Sequence, residues 1–183
     1  MTDAAFDEHL AGLAKDCVAI GEATLPINEG PVFEPFLKGV FSQWHVCAFE
    51  IDGRTFTSAE QWMMYAKAML FDDPAQVERI LATDEPAAQK RAGQRVANFD
   101  GVQWDRARVA IVYRGNLAKF SQNPGLQRRL LSTAPALLVE ANPRDWNWGC
   151  GLAEDDPRLS TPASWPGLNL LGRILTRVRE DLS

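Results

Sequence analysis

The chain has 183 residues, 46% hydrophobic and 23% charged, with a formal net charge of −5. This is enough for one domain with its own core, and the acidic balance excludes a generic nucleic-acid binder, whose footprint is a basic face. Three scattered cysteines (Cys17, Cys47, Cys150) without a CxxC, and only His9 and His45 as imidazoles, exclude a disulfide framework and a His-rich or zinc centre.

Phe6, Leu10, Leu13 and Ala14 recur at helical spacing and predict an amphipathic helix over residues 4–16. Gly21, Pro26, Gly30, Pro31 and Pro35 make residues 21–35 an irregular connection. Phe33, Phe36, Phe41 and Trp44 then crowd around Gly39, as core rings or as a surface for a flat ligand. Val46 to Ile51 and Arg54 to Thr57 flank Asp52-Gly53, a strong signal for an antiparallel hairpin.

The stretch from Thr57 to Ala68 organises the rest of the chain. Ser58 with Gln61 three places on is a capping-box pattern, so a helix starts at Ser58 and ends near Phe71, before Asp72-Asp73-Pro74. Glu60 falls in its first turn, where free N–H groups and the helix dipole favour a carboxylate over its acid form. Lys67 lies one heptad on, near the same face and roughly 10 Å along the axis. A first-turn Glu also serves simply to complement the dipole.

Short helices come next, over Pro74 to Ala82 and Pro86 to about Val96, then a longer one over Trp104 to Phe120 despite Gly115. Pro124 to Leu131 predicts another helix and Ala136 to Ala141 a strand. Asn142 to Leu168 has no periodicity and holds Pro143, Pro157, Pro162 and Pro166 with Trp146, Trp148 and Trp165. So long a loop in a compact domain is functional or disordered, and the tryptophans argue against disorder. Leu170, Ile174, Val178 and Leu182 line one face of a closing helix over Asn169 to Leu182. The fold class is α+β, a mostly helical single domain with a few short strands.

No GxGxxG, Walker loop, GxSxG or HExxH is present, so no cofactor is expected. No leader and no membrane-length apolar run are visible, which predicts a reduced, cytoplasmic protein away from membranes. Asp145, beside Trp146-Asn147-Trp148-Gly149-Cys150-Gly151, is either a working carboxylate or a turn cap. Lys67, Arg91, Arg114 and Lys119 could meet phosphates, although helix-face Lys and Arg are most often solvated.

An ordered set of motifs goes further. Phe41-Ser42-Gln43-Trp44, Asp52-Gly53 and Ser58-Ala59-Glu60-Gln61-Trp62-Met63-Met64-Tyr65-Ala66-Lys67-Ala68 open it. Ala118-Lys119-Phe120, Leu137 to Ala141, Asp145 to Leu152 and Trp165 to Gly172 complete it. Together they resemble the NADAR family. The resemblance divides the chain into an N-terminal helix and connection over 1–31 and a NADAR-like N-glycosidase domain over 32–183. It implies hydrolysis of the C1–N bond of a ribosyl-phosphate substrate, either ADP-ribose attached to guanine or an early riboflavin-biosynthesis intermediate. The partner is then a nucleotide-like small molecule or an ADP-ribosylated nucleic acid. Two departures stand out: Ser42-Gln43-Trp44 where many members have Ser-Asn-Phe, and Gln61 where many have His, which removes a titratable neighbour of Glu60.

In the mechanism this implies, an ionised Glu60 stabilises an oxocarbenium-like ribose and orients water. Asp145 acts as a second carboxylate or accepts from a ribose hydroxyl. Lys67 and Arg114 hold phosphate, Phe41 or Trp148 stacks on a base, and Asn169 bonds a polar edge. Ser42 and Gly149 complete the substrate-binding set. A module that binds ADP-ribose or NAD without turnover is the alternative from another class.

Overall fold

The computed structural model describes every residue except Met1 and Pro31. The helices are α1 (Asp3–Ala14), α2 (Ala59–Leu70), α3 (Pro74–Leu81), α4 (Pro86–Gly93), α5 (Gly101–Ser121), α6 (Pro124–Leu131) and α7 (Leu170–Asp181). The strands are β1 (Phe33–Phe36), β2 (Val46–Ile51), β3 (Arg54–Ser58) and β4 (Leu137–Glu140). This is the expected helix-dominated α+β fold. The chain forms two compact units, each from two segments: residues through Gly21 with Gln43–Gln122, and Glu22–Ser42 with Asn123–Ser183.

The first unit is built on α2, which is apolar almost all round and therefore buried almost all round. Its start is the predicted cap. Ser58 Oγ accepts from the Gln61 N–H at 3.0 Å and donates to Gln89 Oε1 at 2.8 Å. Helices α1, α3, α4 and α5 pack around α2. Its Trp62 packs on α5 and donates Nε1–H to the Ile111 carbonyl at 2.8 Å. That contact explains Gly115 inside a long helix, since a Cβ there would meet Trp62 Cδ1 at 2.2 Å. The β2–β3 hairpin pairs in antiparallel register, and Asp52 and Gly53 both take positive φ (52° and 75°), the demand of a type I′ turn.

The second unit pairs β1 with β4 in parallel, Phe33 opposite Leu137 and Phe36 opposite Glu140. Strand β1 lies in a stretch expected to be irregular. It is only four residues long and carries Pro35, so neither alternation nor propensity reveals it; pairing with β4 makes it a strand. Val139, Ala141, Cys150, Leu152 and Leu159 form a core against which Phe33 and Trp165 pack. Two other boundaries differ from expectation. The Asp100 carboxylate accepts from the Val102 and Gln103 N–H groups and starts α5 at Gly101, whereas α4 stops at Gly93. No helix among the described residues is long and apolar enough to cross a membrane.

Candidate active site

In the first unit, the polar residues that folding has buried gather where β3 enters α2. Glu60 is 3% exposed, in the first turn. Its N–H donates to the Gln43 carbonyl at 2.9 Å, which ties the segment after Ser42 to the start of α2. The Gln43 side chain turns to α5, where its Oε1 accepts from Asn116 Nδ2 at 2.9 Å. Asn116 donates also to the Val112 carbonyl at 2.9 Å, one turn back in α5. One turn further along the same face is Lys119, fully buried. Burial lowers its amine from 10.5 to about 8. Its neighbours His45 and Cys47 respond in turn: burial, helped by the Lys119 charge, lowers the imidazole, and burial raises the thiol against the pull of Lys119. The arrangement therefore puts a buried carboxylate, a carboxamide pair and an amine that titrates near working pH on adjoining elements. Such shifts concentrate at functional sites.

Lys67 sits on α2 within electrostatic reach of Glu60. Burial lowers its amine, and the Glu60 charge partly restores it. Its Nζ lies 4.2 Å from the Phe99 ring centroid and 5.8 Å from that of Trp104. Arg114 is engaged elsewhere. Its guanidinium donates to the Leu13 carbonyl at 2.6 Å and to Asp52 at 2.8 Å, clamping the end of α1 to the hairpin turn. Those bonds occupy the group expected to hold phosphate. Gln61 is also spent on structure. Its Oε1 accepts from the Thr57 N–H at 2.8 Å, and its Nε2 donates to the Ile80 and Thr83 carbonyls at 3.1 and 3.0 Å. The amide in place of an imidazole thus holds α2 to its surroundings.

In the second unit, the structure brings Asp145, Trp148, Gly149 and Asn169 into one loop system. Asp145 Oδ1 accepts from the Asn147 and Trp148 N–H groups at 3.0 and 2.8 Å, the turn-capping alternative. The Gly149 carbonyl accepts from the Asn169 N–H at 3.0 Å, and a Cβ on Gly149 would come within 2.9 Å of the Asp145 carbonyl oxygen. This glycine is there for close backbone approach. Asn169 Oδ1 accepts from the Glu140 N–H at 2.9 Å, while its Nδ2 donates to the Leu138 carbonyl at 3.0 Å and to Asn28 at 3.2 Å. Both amide hydrogens are used, so none is left to read a base edge. Phe41 is buried, edge-to-face with Phe36 at 5.5 Å and under the Arg129 guanidinium at 5.1 Å, so its ring is committed to packing. Ser42 closes the short 3-10 turn Gly39–Phe41 by donating its N–H to the Gly39 carbonyl.

Sequence reasoning left Gln43 and Asn116 out of the site and weighed Lys119 only as one of several cations that could meet phosphates. The signal was there: Val112, Asn116 and Lys119 share one helical face at four- and three-residue steps, which sets two polar side chains on a buried stripe.

The fold is helix-dominated α+β, with a buried carboxylate at a capped helix start and a buried, titratable amine on α5. Comparison with known proteins gives the family. Residues 34–183 match the NADAR domain, and the chain belongs to that family. It is 42% identical over 147 residues to the N-glycosidase R617 of Acanthamoeba polyphaga mimivirus, covering 78% of this chain and 86% of that protein. It is 30% identical over 145 residues to the N-glycosidase YbiA of Escherichia coli, covering 79% and 82%. The NMR structure of E. coli YbiA superposes with a TM-score of 0.69 at 26% identity, over 89% of this chain and 92% of that one. A maize protein named riboflavin biosynthesis protein PYRR is 31% identical over 135 residues, 70% of this chain but 20% of that protein. The chain is thus a hydrolase of the NADAR N-glycosidase family.

Proposed function

We propose that the chain hydrolyses the C1–N bond of ADP-ribose attached to guanine, reversing that modification. The buried Glu60 carries the reading. Breaking an N-glycosidic bond leaves positive charge on C1 and O4 of the ribose, and a carboxylate fixed in a water-poor pocket stabilises that charge without reorganising. The departing nitrogen needs a proton, and a group with a pKa near the working pH supplies it most efficiently. Lys119, at about 8, is the group in this unit whose amine matches that requirement, and we assign it that role. Lys67 takes the phosphates: burial lowers its amine, an anion beside it would offset that cost, and Phe99 and Trp104 adjoin it. A diphosphate that ends in a second base can use both the charge and the rings, which favours ADP-ribose over a simple phosphoribosyl group.

One observation favours a second reading. The likeness to the maize PYRR protein supports an early riboflavin intermediate as the substrate, and the same Glu60 and Lys119 would serve it. An end-point mass-spectrometric assay separates the two. Wild type and Glu60→Gln are incubated with an ADP-ribosylated guanine nucleoside, the same adduct in a short oligonucleotide, the early riboflavin intermediates, and NAD. ADP-ribose plus the unmodified guanine nucleoside or oligonucleotide, lost in the variant, is the expected result. Release of base only from the riboflavin intermediates would replace the first reading with the second.

A further inference from the structure

The Gln43–Asn116 pair is incompletely satisfied. Gln43 Oε1 and Asn116 Nδ2 bond each other, yet Gln43 Nε2 and Asn116 Oδ1 are buried with no hydrogen-bond partner among the described residues. Turning the amides over does not cure this. The Val112 carbonyl accepts from Asn116 Nδ2 and so fixes which end of Asn116 is the donor. Asn116 Nδ2 then fixes Gln43 Oε1 toward itself, which leaves Gln43 Nε2 outward. Gln43 is 8% exposed and Asn116 is fully buried. A buried unpaired donor and acceptor each cost about 1–3 kcal/mol, and natural proteins rarely tolerate two side by side without a use.

Their position supplies the use. Gln43 is bonded through its own carbonyl to the N–H of Glu60, so the residue that carries the open donor is tied directly to the backbone of the residue proposed to face C1 of the ribose. The atom next to C1 carries a hydroxyl, and C3 carries another on the same face. A hydroxyl both accepts and donates. One hydroxyl, or the neighbouring pair, can accept from Gln43 Nε2–H and donate to Asn116 Oδ1, which meets both needs at once.

We infer that Gln43 and Asn116 form the subsite that reads the hydroxyls of the reacting ribose, and thereby separates ribosyl from 2-deoxyribosyl substrates. This rests on the glycosidase reading of Glu60. Sites that leave a buried polar group unpaired when a hydroxyl is missing reject the deoxy analogue strongly. The subsite would also place C1 against Glu60.

The test compares an ADP-ribosylated guanine nucleoside with its counterpart lacking the 2-hydroxyl on the reacting sugar, using wild type, Gln43→Met and Asn116→Leu. Deoxy sugars have their own intrinsic lability, so the quantity read is the ribose-to-deoxyribose ratio of kcat/KM in each protein. Wild type should favour the ribosyl substrate, and each variant should shrink that preference about tenfold or more by slowing the ribosyl substrate far more than the deoxy one. Thermal unfolding is measured alongside. Each single substitution strips the other amide of its partner, so stability is read on the double variant Gln43→Met/Asn116→Leu, which replaces both partners by apolar groups of similar volume and whose Tm should stay within a few degrees of wild type. Equal slowing of both substrates, or a large fall in Tm in the double variant, would mark the pair as scaffold and overturn the inference while leaving the function standing. If wild type releases no base from any ribosyl phosphate, the glycosidase reading fails and this one falls with it.

Discussion

Two buried carboxamide sites in this molecule look alike in sequence and differ in their hydrogen bonds. Around Asn169 every amide hydrogen has an acceptor, and the residue takes the left-handed conformation (φ 52°) that its neighbours require. Around Gln43 and Asn116 one donor group and one acceptor stay open, on a pair tied to Glu60 through the Gln43 carbonyl. Saturated polar groups hold a fold in place, whereas open ones carry a cost that a bound partner offsets. The loop of the second unit, rich in tryptophan and motif residues, is thus the more conspicuous region and the more structural one.

The largest expected effect breaks the saturated side. Asn169→Ala removes the side-chain bonds to Glu140, Leu138 and Asn28 and places a residue without a locally bonding side chain at positive φ. A loss of about 4 kcal/mol is expected, read as a fall in the denaturant midpoint. Asn169→Gly should recover only the backbone part. If the alanine variant were as stable as wild type, Asn169 would not be the anchor its bonds imply.

Next comes Glu60→Gln. Turnover should drop roughly a hundredfold or more, as when comparable electrostatic groups are lost, with the unfolding midpoint nearly unchanged because Gln is at home in a first helical turn. A variant that turned over at the wild-type rate would move the chemistry to another residue.

Lys119 gives a pH signature. Its amine is about 8 in the folded chain and ordinarily 10.5. Below pH 8 both states carry the proton, and the folded state bears the full burial penalty. Between about 8 and 10.5 the folded chain releases its proton while the unfolded chain keeps it, so stability rises with pH through that window, by up to about 3 kcal/mol. Lys119→Met should abolish that rise. It should also remove the fall in turnover above pH 8 expected if the protonated amine serves the leaving base; a wild-type rate that keeps climbing through about pH 9 would exclude the proton-donor role.

How far the sequence carried depends on the range of the cause. The capped start of α2, the Asp52-Gly53 turn and the amphipathic α7 are set by residues a few places apart, and all were legible. Strand β1 was not, because Leu137 to Glu140, distant in sequence, make it a strand. The proposed site divides in the same way. Glu60 announces itself by its place after a cap, and the family motifs pointed to it as well. Asn116 and Gln43 lie 73 positions apart, and what distinguishes them is an absent partner, which no local pattern displays. Arg114 shows the converse: a cation in a family-like stretch whose use, Asp52 and the Leu13 carbonyl, lies far along the chain.

That contrast between cations yields the smallest predicted effect. Lys67→Ala should raise KM for phosphorylated substrates about tenfold, the worth of one charge-assisted contact, and leave kcat largely intact because the group lies away from the reacting atoms. Arg114→Ala should leave KM alone and instead cost about 1 kcal/mol of stability, since it releases the end of α1 from the hairpin turn through a partly exposed ion pair. Steady-state kinetics and unfolding on the same two proteins decide the matter. A raised KM in Arg114→Ala with unchanged stability would mean that its bonds to Asp52 and Leu13 yield to substrate, and that a cation already paired in the fold can still be a phosphate ligand.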